Sequence, residues 1–192
     1  ILSANTFTSA AKDLSNAGTI TLGDANSGYS YLYGPGVTLT NSGQLNTIQG
    51  GGGARYLYLN ITNGPTGTID IAASDTQMGG GATMLTNNGT ITIEATGSLA
   101  LSGASFTQGS GGTFATTIDA TTTAFGQLTA GGGPVSLGGK LKVTTIGSPA
   151  IAGSWPIISD ANRSGQFETF DFGAINYDVQ YPSTGVTLAR VS

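Results

Sequence analysis

Short runs of alternating polar and aliphatic residues recur along the chain: Thr19-Ile20-Thr21-Leu22, Thr68-Ile69-Asp70-Ile71 and Thr90-Ile91-Thr92-Ile93. A period of two sends one set of side chains to a buried face and the other to water. Each run therefore predicts a half-buried β-strand. No window carries apolar residues at i, i+3, i+4 and i+7 over more than two turns. Glycine, at 32 of 192 residues, is too frequent for helices. Asn-x-Gly precedes several strands and predicts turns, because both residues tolerate positive φ. The chain reads as all-β.

The strands belong to a repeat. Leu14-Ser15-Asn16-Ala17-Gly18-Thr19-Ile20 returns as Leu39-Thr40-Asn41-Ser42-Gly43-Gln44-Leu45 and as Leu85-Thr86-Asn87-Asn88-Gly89-Thr90-Ile91. Between them, Ile61-Thr62-Asn63 meets Gly67-Thr68-Ile69 after a short insertion. The asparagines at 16, 41, 63 and 87 are separated by steps of 25, 22 and 24 residues. Tyr31-Leu32-Tyr33 likewise recurs as Tyr56-Leu57-Tyr58. A unit of this length cannot bury its own apolar face, so units must stack. The expected object is a parallel β-helix with Ile and Leu inside, Thr and Ser outside. About eight rungs would give a body roughly 35–40 Å long. Asn16, Asn41, Asn63 and Asn87 would stack as a structural ladder, each amide bonding the next turn's backbone.

Beyond about residue 95 the strict repeat decays while the strand pattern continues, as in Ser136-Leu137-Gly138-Gly139-Lys140-Leu141-Lys142-Val143. Trp155, Phe167, Phe170, Phe172, Tyr177 and Tyr181 then concentrate with Pro149, Pro156 and Pro182. A stacked array must cover the strand edges at its ends. Residues 1–145 are therefore read as the repeat body and 146–192 as an aromatic-rich β cap.

Charge and composition narrow the chemistry. Ten acidic and six basic residues give a net charge of −4, without a basic footprint for nucleic acid. With no cysteine and no histidine, zinc sites and imidazole-dependent catalysis are excluded. No run approaches the roughly 20 apolar residues of a membrane helix, so no membrane span is expected in this segment. The start at Ile1-Leu2-Ser3 suggests a processed product or an excised segment.

Few residues offer chemistry. Asp160-Ala161-Asn162-Arg163-Ser164-Gly165-Gln166-Phe167-Glu168-Thr169-Phe170-Asp171 follows calcium-loop spacing, but its flanks read as strands, favouring a plain turn. Asp24-Ala25-Asn26-Ser27-Gly28 is a shorter version. Asp70 and Glu94, 24 residues apart, are expected at equivalent outward positions, where paired carboxylates could support sugar chemistry. No glycine-rich stretch is followed by the Lys-Ser/Thr and helix of a phosphate loop. Neither a metal nor a cofactor is expected. The tyrosines are the most tangible binding candidates. If Leu32 and Leu57 face the core, Tyr31, Tyr33, Tyr56 and Tyr58, with Tyr29 beside them, share an outer face on adjacent rungs. Such a face suits sugar rings or a protein partner, or simply braces the stack.

The runs Gly97-Ser98-Leu99-Ala100-Leu101-Ser102-Gly103, Gly111-Gly112-Thr113-Phe114 and Gly153-Ser154-Trp155-Pro156-Ile157-Ile158 resemble bacterial autotransporter passengers and related surface adhesins. Ser164-Gly165-Gln166-Phe167 and the ending Val179-Gln180-Tyr181 to Gly185-Val186-Thr187-Leu188 resemble them too. The resemblance implies a right-handed parallel β-helix displayed outside the bacterial cell, whose C-terminal section helps the stack fold. The resemblance also implies a membrane barrel beyond the passenger, so the segment is expected to be cut from a longer chain or anchored in some other way. The expected function is non-enzymatic: a stalk or adhesin segment touching a host or neighbouring-cell glycan or protein, or self-associating. The alternative is a carbohydrate-binding or carbohydrate-processing β-helix of the phage-tail receptor kind.

Overall fold

The computed structural model describes residues 6–23, 28–79 and 83–191. These contain no helix and wind into a parallel β-solenoid of about six turns, fewer than the eight rungs expected. At about 4.8 Å per turn the stack is roughly 29 Å long. Each turn has three faces. One coil shows the plan: Arg55–Asn63 covers the first and second faces and Thr68–Ile71 the third. The third face is one sheet, with strands parallel in the order Thr19–Leu22, Gln44–Thr47, Thr68–Ile71, Thr90–Ile93, Thr113–Asp119, Lys140–Ile146 and Thr169–Asp171, and with Ala124–Phe125 antiparallel beside Thr113–Asp119. The other two faces share a sheet, continuous where Ser30–Asn41 lies against Arg55–Asn63.

Alternation in the sequence becomes columns in the structure. Ile20, Leu45, Ile69, Ile91, Phe114 and Leu141 are successive register partners on the third face. All but Ile20, in the first coil, are buried. On the second face Leu39, Ile61, Leu85, Phe106 and Val135 make the matching column. The interior is thus a stack of identical apolar layers, as the period-two pattern required. Outside them on the second face runs a line of hydroxyl residues, Ser15, Thr40, Thr62, Thr86, Thr107, Ser136 and Ser164.

The asparagines form the expected ladder. Asn16 Nδ2 donates to Asn41 Oδ1 at 2.7 Å, Asn41 to Asn63 at 2.8 Å and Asn63 to Asn87 at 2.8 Å. The second proton of each amide reaches a backbone carbonyl of the next coil: Gln44 at 2.8 Å, Thr68 at 3.0 Å and Thr90 at 3.1 Å. Gln108 is a fifth rung, accepting from Asn87 Nδ2 at 2.8 Å. There the column stops: Gln108 Nε2 is buried with no partner among the described residues.

Beside the ladder runs a column of glycines, Gly43, Gly67, Gly89 and Gly112. Positive φ was the expected reason for them, yet none of the four has it. The reason is space. A Cβ at Gly89 would strike the carbonyl oxygens of Gly67 and Gly64, and one at Gly43 the carbonyl of Gly18. Unequal repeat steps are taken up at corners. Tyr33 pairs with Tyr58 and Thr38 with Asn60, so Gly34-Pro35-Gly36-Val37 bulges where the next coil has Leu59 alone. The faces stay in register while the corner absorbs the difference.

Parallel pairing does not end near residue 145. Leu128 pairs with Ile158, Val135 with Arg163 and Lys140 with Thr169, carrying the stack to Asp171. The change comes after that: Gly185–Arg190 runs antiparallel between Ser154–Ser159 and Tyr177–Gln180. Edge-to-face contacts link Trp155 to Tyr177 at 5.8 Å and Phe172 to Tyr177 at 5.6 Å.

The corner yields three expected outcomes. Asn63→Ala strands its partners on both neighbouring coils and should cost about 3 kcal/mol in urea unfolding. Gln108→Leu removes an orphaned donor along with one acceptor and should cost about 1 kcal/mol or less. Gly89→Ala should cost about 3 kcal/mol by the same measurement, since its Cβ meets backbone rather than a movable side chain.

Candidate functional site

Leu32 and Leu57 point inward, 3% and 2% exposed, and their neighbours in sequence are forced outward. Tyr31 pairs with Tyr56 and Tyr33 with Tyr58 on adjacent coils of the first face. Tyr29, before the strand, joins them. The Tyr31 and Tyr56 rings stack with centroids 4.5 Å apart and planes 14° from parallel. Tyr29 lies 6.1 Å from Tyr56 at 25°. Tyr58 is tilted against Tyr56 at 5.3 Å, and Tyr33 meets Tyr58 edge-on at 6.3 Å. The five rings form one cluster. Because Tyr31 and Tyr56 cover each other's faces, the pair offers ring edges and hydroxyls more than flat surface.

The patch has polar neighbours that the sequence reading missed. Gln77 is the register partner of Tyr56 on the following coil, and its amide donates to Asp75 Oδ1 at 2.9 Å. Burial raises the Tyr56 pKa above the ordinary phenol value, with Tyr31, Tyr58, Asp75 and Tyr29 adding to the effect. Tyr58 is raised by burial and by Tyr31. Both phenols therefore stay protonated at neutral pH and can donate as well as accept hydrogen bonds.

Underneath lies Arg55, inward-facing and 1% exposed. Its Nε donates to the Ile48 carbonyl at 3.1 Å, and its Nη1 to those of Gly28 and Gly53, each at 2.9 Å. A buried guanidinium needs such partners to offset its lost hydration. It thereby ties the Gly50 to Gly53 loop to the start of the strand bearing Tyr56 and Tyr58. An arginine opening a strand one residue after a glycine run was the available signal.

The carboxylates are placed differently from expectation. Register pairs Asp70 with Thr92, not with Glu94, which lies two residues further along. The two acids are diagonal neighbours. Glu94 Oε2 accepts from Thr117 Oγ1 at 3.1 Å, whereas Asp70 Oδ1 is buried without a partner among the described residues. Burial, and then the charge of Glu94, raises the Asp70 pKa above the ordinary carboxylate range.

The Asp160–Asp171 segment is divided between faces, Arg163–Gly165 on the second and Thr169–Asp171 on the third. Asp160 Oδ1 accepts from the Asn162 backbone at 2.9 Å, a turn within the chain. Glu168 and Asp171 are exposed. Asp24 to Ser27, in the shorter candidate loop, lie outside the described residues. Among the described residues, no group of three or more His, Cys, Asp or Glu side chains could hold a metal ion. No described helix is long and apolar enough to cross a membrane.

The chain is a parallel β-solenoid with an aromatic cluster on one face. No family model, curated protein or solved structure matches the chain.

Asp70 gives a pH test. In the unfolded chain its carboxyl ionises at the ordinary value, and in the folded chain at a higher one. Between the two, the folded state holds the extra proton, so stability falls as pH rises through that window. Above it the penalty is constant. Asp70→Asn should therefore raise the urea midpoint at pH 7, and the gain should vanish below the ordinary carboxylate pKa.

Proposed function

We propose that this chain is a non-enzymatic β-helix displayed on the bacterial cell surface, a stalk or adhesin segment of autotransporter-passenger style. The observation that carries the reading is the tyrosine cluster on adjacent coils of an otherwise Thr-, Ser- and Asn-rich exterior. The solenoid supplies stiffness through continuous backbone pairing and the amide ladder. The cluster supplies a local patch where rings and hydroxyls together suit a glycan or a protein surface. Asp75 and Gln77 at its border add hydrogen-bonding groups of the kind sugar hydroxyls use.

A second reading, a carbohydrate-binding or carbohydrate-processing module, draws support from Asp70 and Glu94. Their proximity and the raised Asp70 pKa are the features a sugar-cleaving acid pair would exploit.

A glycan-array and host-matrix screen separates these. The adhesive reading expects binding that the Tyr31→Ala/Tyr56→Ala double variant loses and that Asp70→Asn and EDTA leave intact. Release of shortened sugars, abolished by Asp70→Asn, would move the assignment to the second reading. Binding that survives the tyrosine substitutions would overturn the proposed patch.

A further inference from the structure

The 4.5 Å separation of the Tyr31 and Tyr56 rings is dictated by the backbone. The residues are register partners on adjacent coils, whose strands stand about 4.8 Å apart. Both rings are half-buried, so small oxidants reach their edges. A phenol that loses a hydrogen atom carries unpaired spin on the carbons ortho to its oxygen. That spin is consumed by the nearest ortho carbon of another oxidised phenol. Folding brings two such rings, far apart in sequence, face to face and nearly parallel.

We propose that Tyr31 and Tyr56 form an oxidative cross-linking site, joined as dityrosine by an oxidant of the heme-peroxidase and hydrogen peroxide class. Each phenol gives up one hydrogen atom, and hydrogen peroxide takes both to become two water molecules. The two ortho carbons then form a carbon–carbon bond. The hydrogens they carried move to the phenolic oxygens, so both rings regain aromaticity and both hydroxyls are restored.

The geometry selects this pair over its neighbours. Tyr58 lies 5.3 Å from Tyr56 and is tilted by 49°, Tyr33 stands 6.3 Å from Tyr58 at 73°, and Tyr29 is 6.1 Å from Tyr56 and 6.4 Å from Tyr31, so no other pair in the cluster is both as close and as parallel. Tyr177 is buried against Trp155, and Tyr181 packs under the Arg163 guanidinium, 5.0 Å from its ring centroid. The link would join adjacent coils covalently and restrict the unfolded chain, as a disulfide does. This site stands whether or not the tyrosine patch binds a glycan.

The test treats dilute folded protein with a heme peroxidase and limiting hydrogen peroxide, followed by digestion and mass spectrometry. The expected product is a monomer with dityrosine fluorescence and a linked peptide pair, lighter by two hydrogen atoms, mapping to Tyr31 and Tyr56. Met84, 54% exposed, gains oxygen under peroxide, so the mapped link and not the total mass is decisive. Tyr56→Phe should lose most of the fluorescence while Tyr58→Phe keeps it. The linked native chain should unfold at higher urea. Links scattered among the tyrosines, links mainly between chains, or the same yield from urea-unfolded protein would each overturn the proposal. The native chain's mapped link decides the matter even if Tyr56→Phe fails to fold.

Discussion

One column of side-chain amides, from Asn16 to Gln108, sets the register of the coils. Backbone pairing alone tolerates slippage, because every residue offers the same donor and acceptor. A slip of one residue would turn each inward side chain outward. It would also tear every amide from its partner above and its carbonyl beside, deep in an interior with no water to replace them. The apolar columns, the outer hydroxyl row and the stacked tyrosines all depend on that alignment. The neighbouring glycines make it attainable, since only a backbone without Cβ lets successive corners approach so closely.

Much of this was legible in the chain. Periods of two and a repeat near 24 residues imply stacked strands, and a polar residue recurring at one inward position implies a ladder. What escaped the sequence is instructive. Gln108 was overlooked because it sits outside the Asn-x-Gly phrase. Phe106-Thr107-Gln108 nevertheless keeps the same apolar, hydroxyl, amide order as Ile61-Thr62-Asn63. Glycine beside asparagine suggested backbone freedom, while the operative constraint is contact with another coil, invisible to local reasoning. Asp70 and Glu94 were aligned by counting residues. Spacing predicts neighbours only where corners are equal in length, and Asn63 to Gly67 is longer than Asn87 to Gly89.

The aromatic cluster shows the same division. Leu-Tyr alternation located Tyr31, Tyr33, Tyr56 and Tyr58 on one face, because alternation is all that placement requires. Ring orientation was not legible, since it depends on how side chains settle against one another. Nor was the part played by Arg55. A cation buried under the patch and satisfied by carbonyl oxygens runs against every expectation from charge, and only the closed loop around it explains its position. The pairing change after Asp171 likewise lies where composition shows no break.

The amide column also has an arrow. Each asparagine nitrogen reaches the coil that comes later in the chain, and each amide oxygen from Asn41 to Gln108 accepts from the coil before. A finished coil thus presents a donor, and the incoming coil completes it with an acceptor. In a polypeptide that emerges from its N-terminus, the template always exists before its complement. The two ends of the column are therefore chemically unlike: the Asn16 Oδ1 accepts from the Gly18 backbone of its own coil, while the Gln108 Nε2 is left as a bare donor among the described residues.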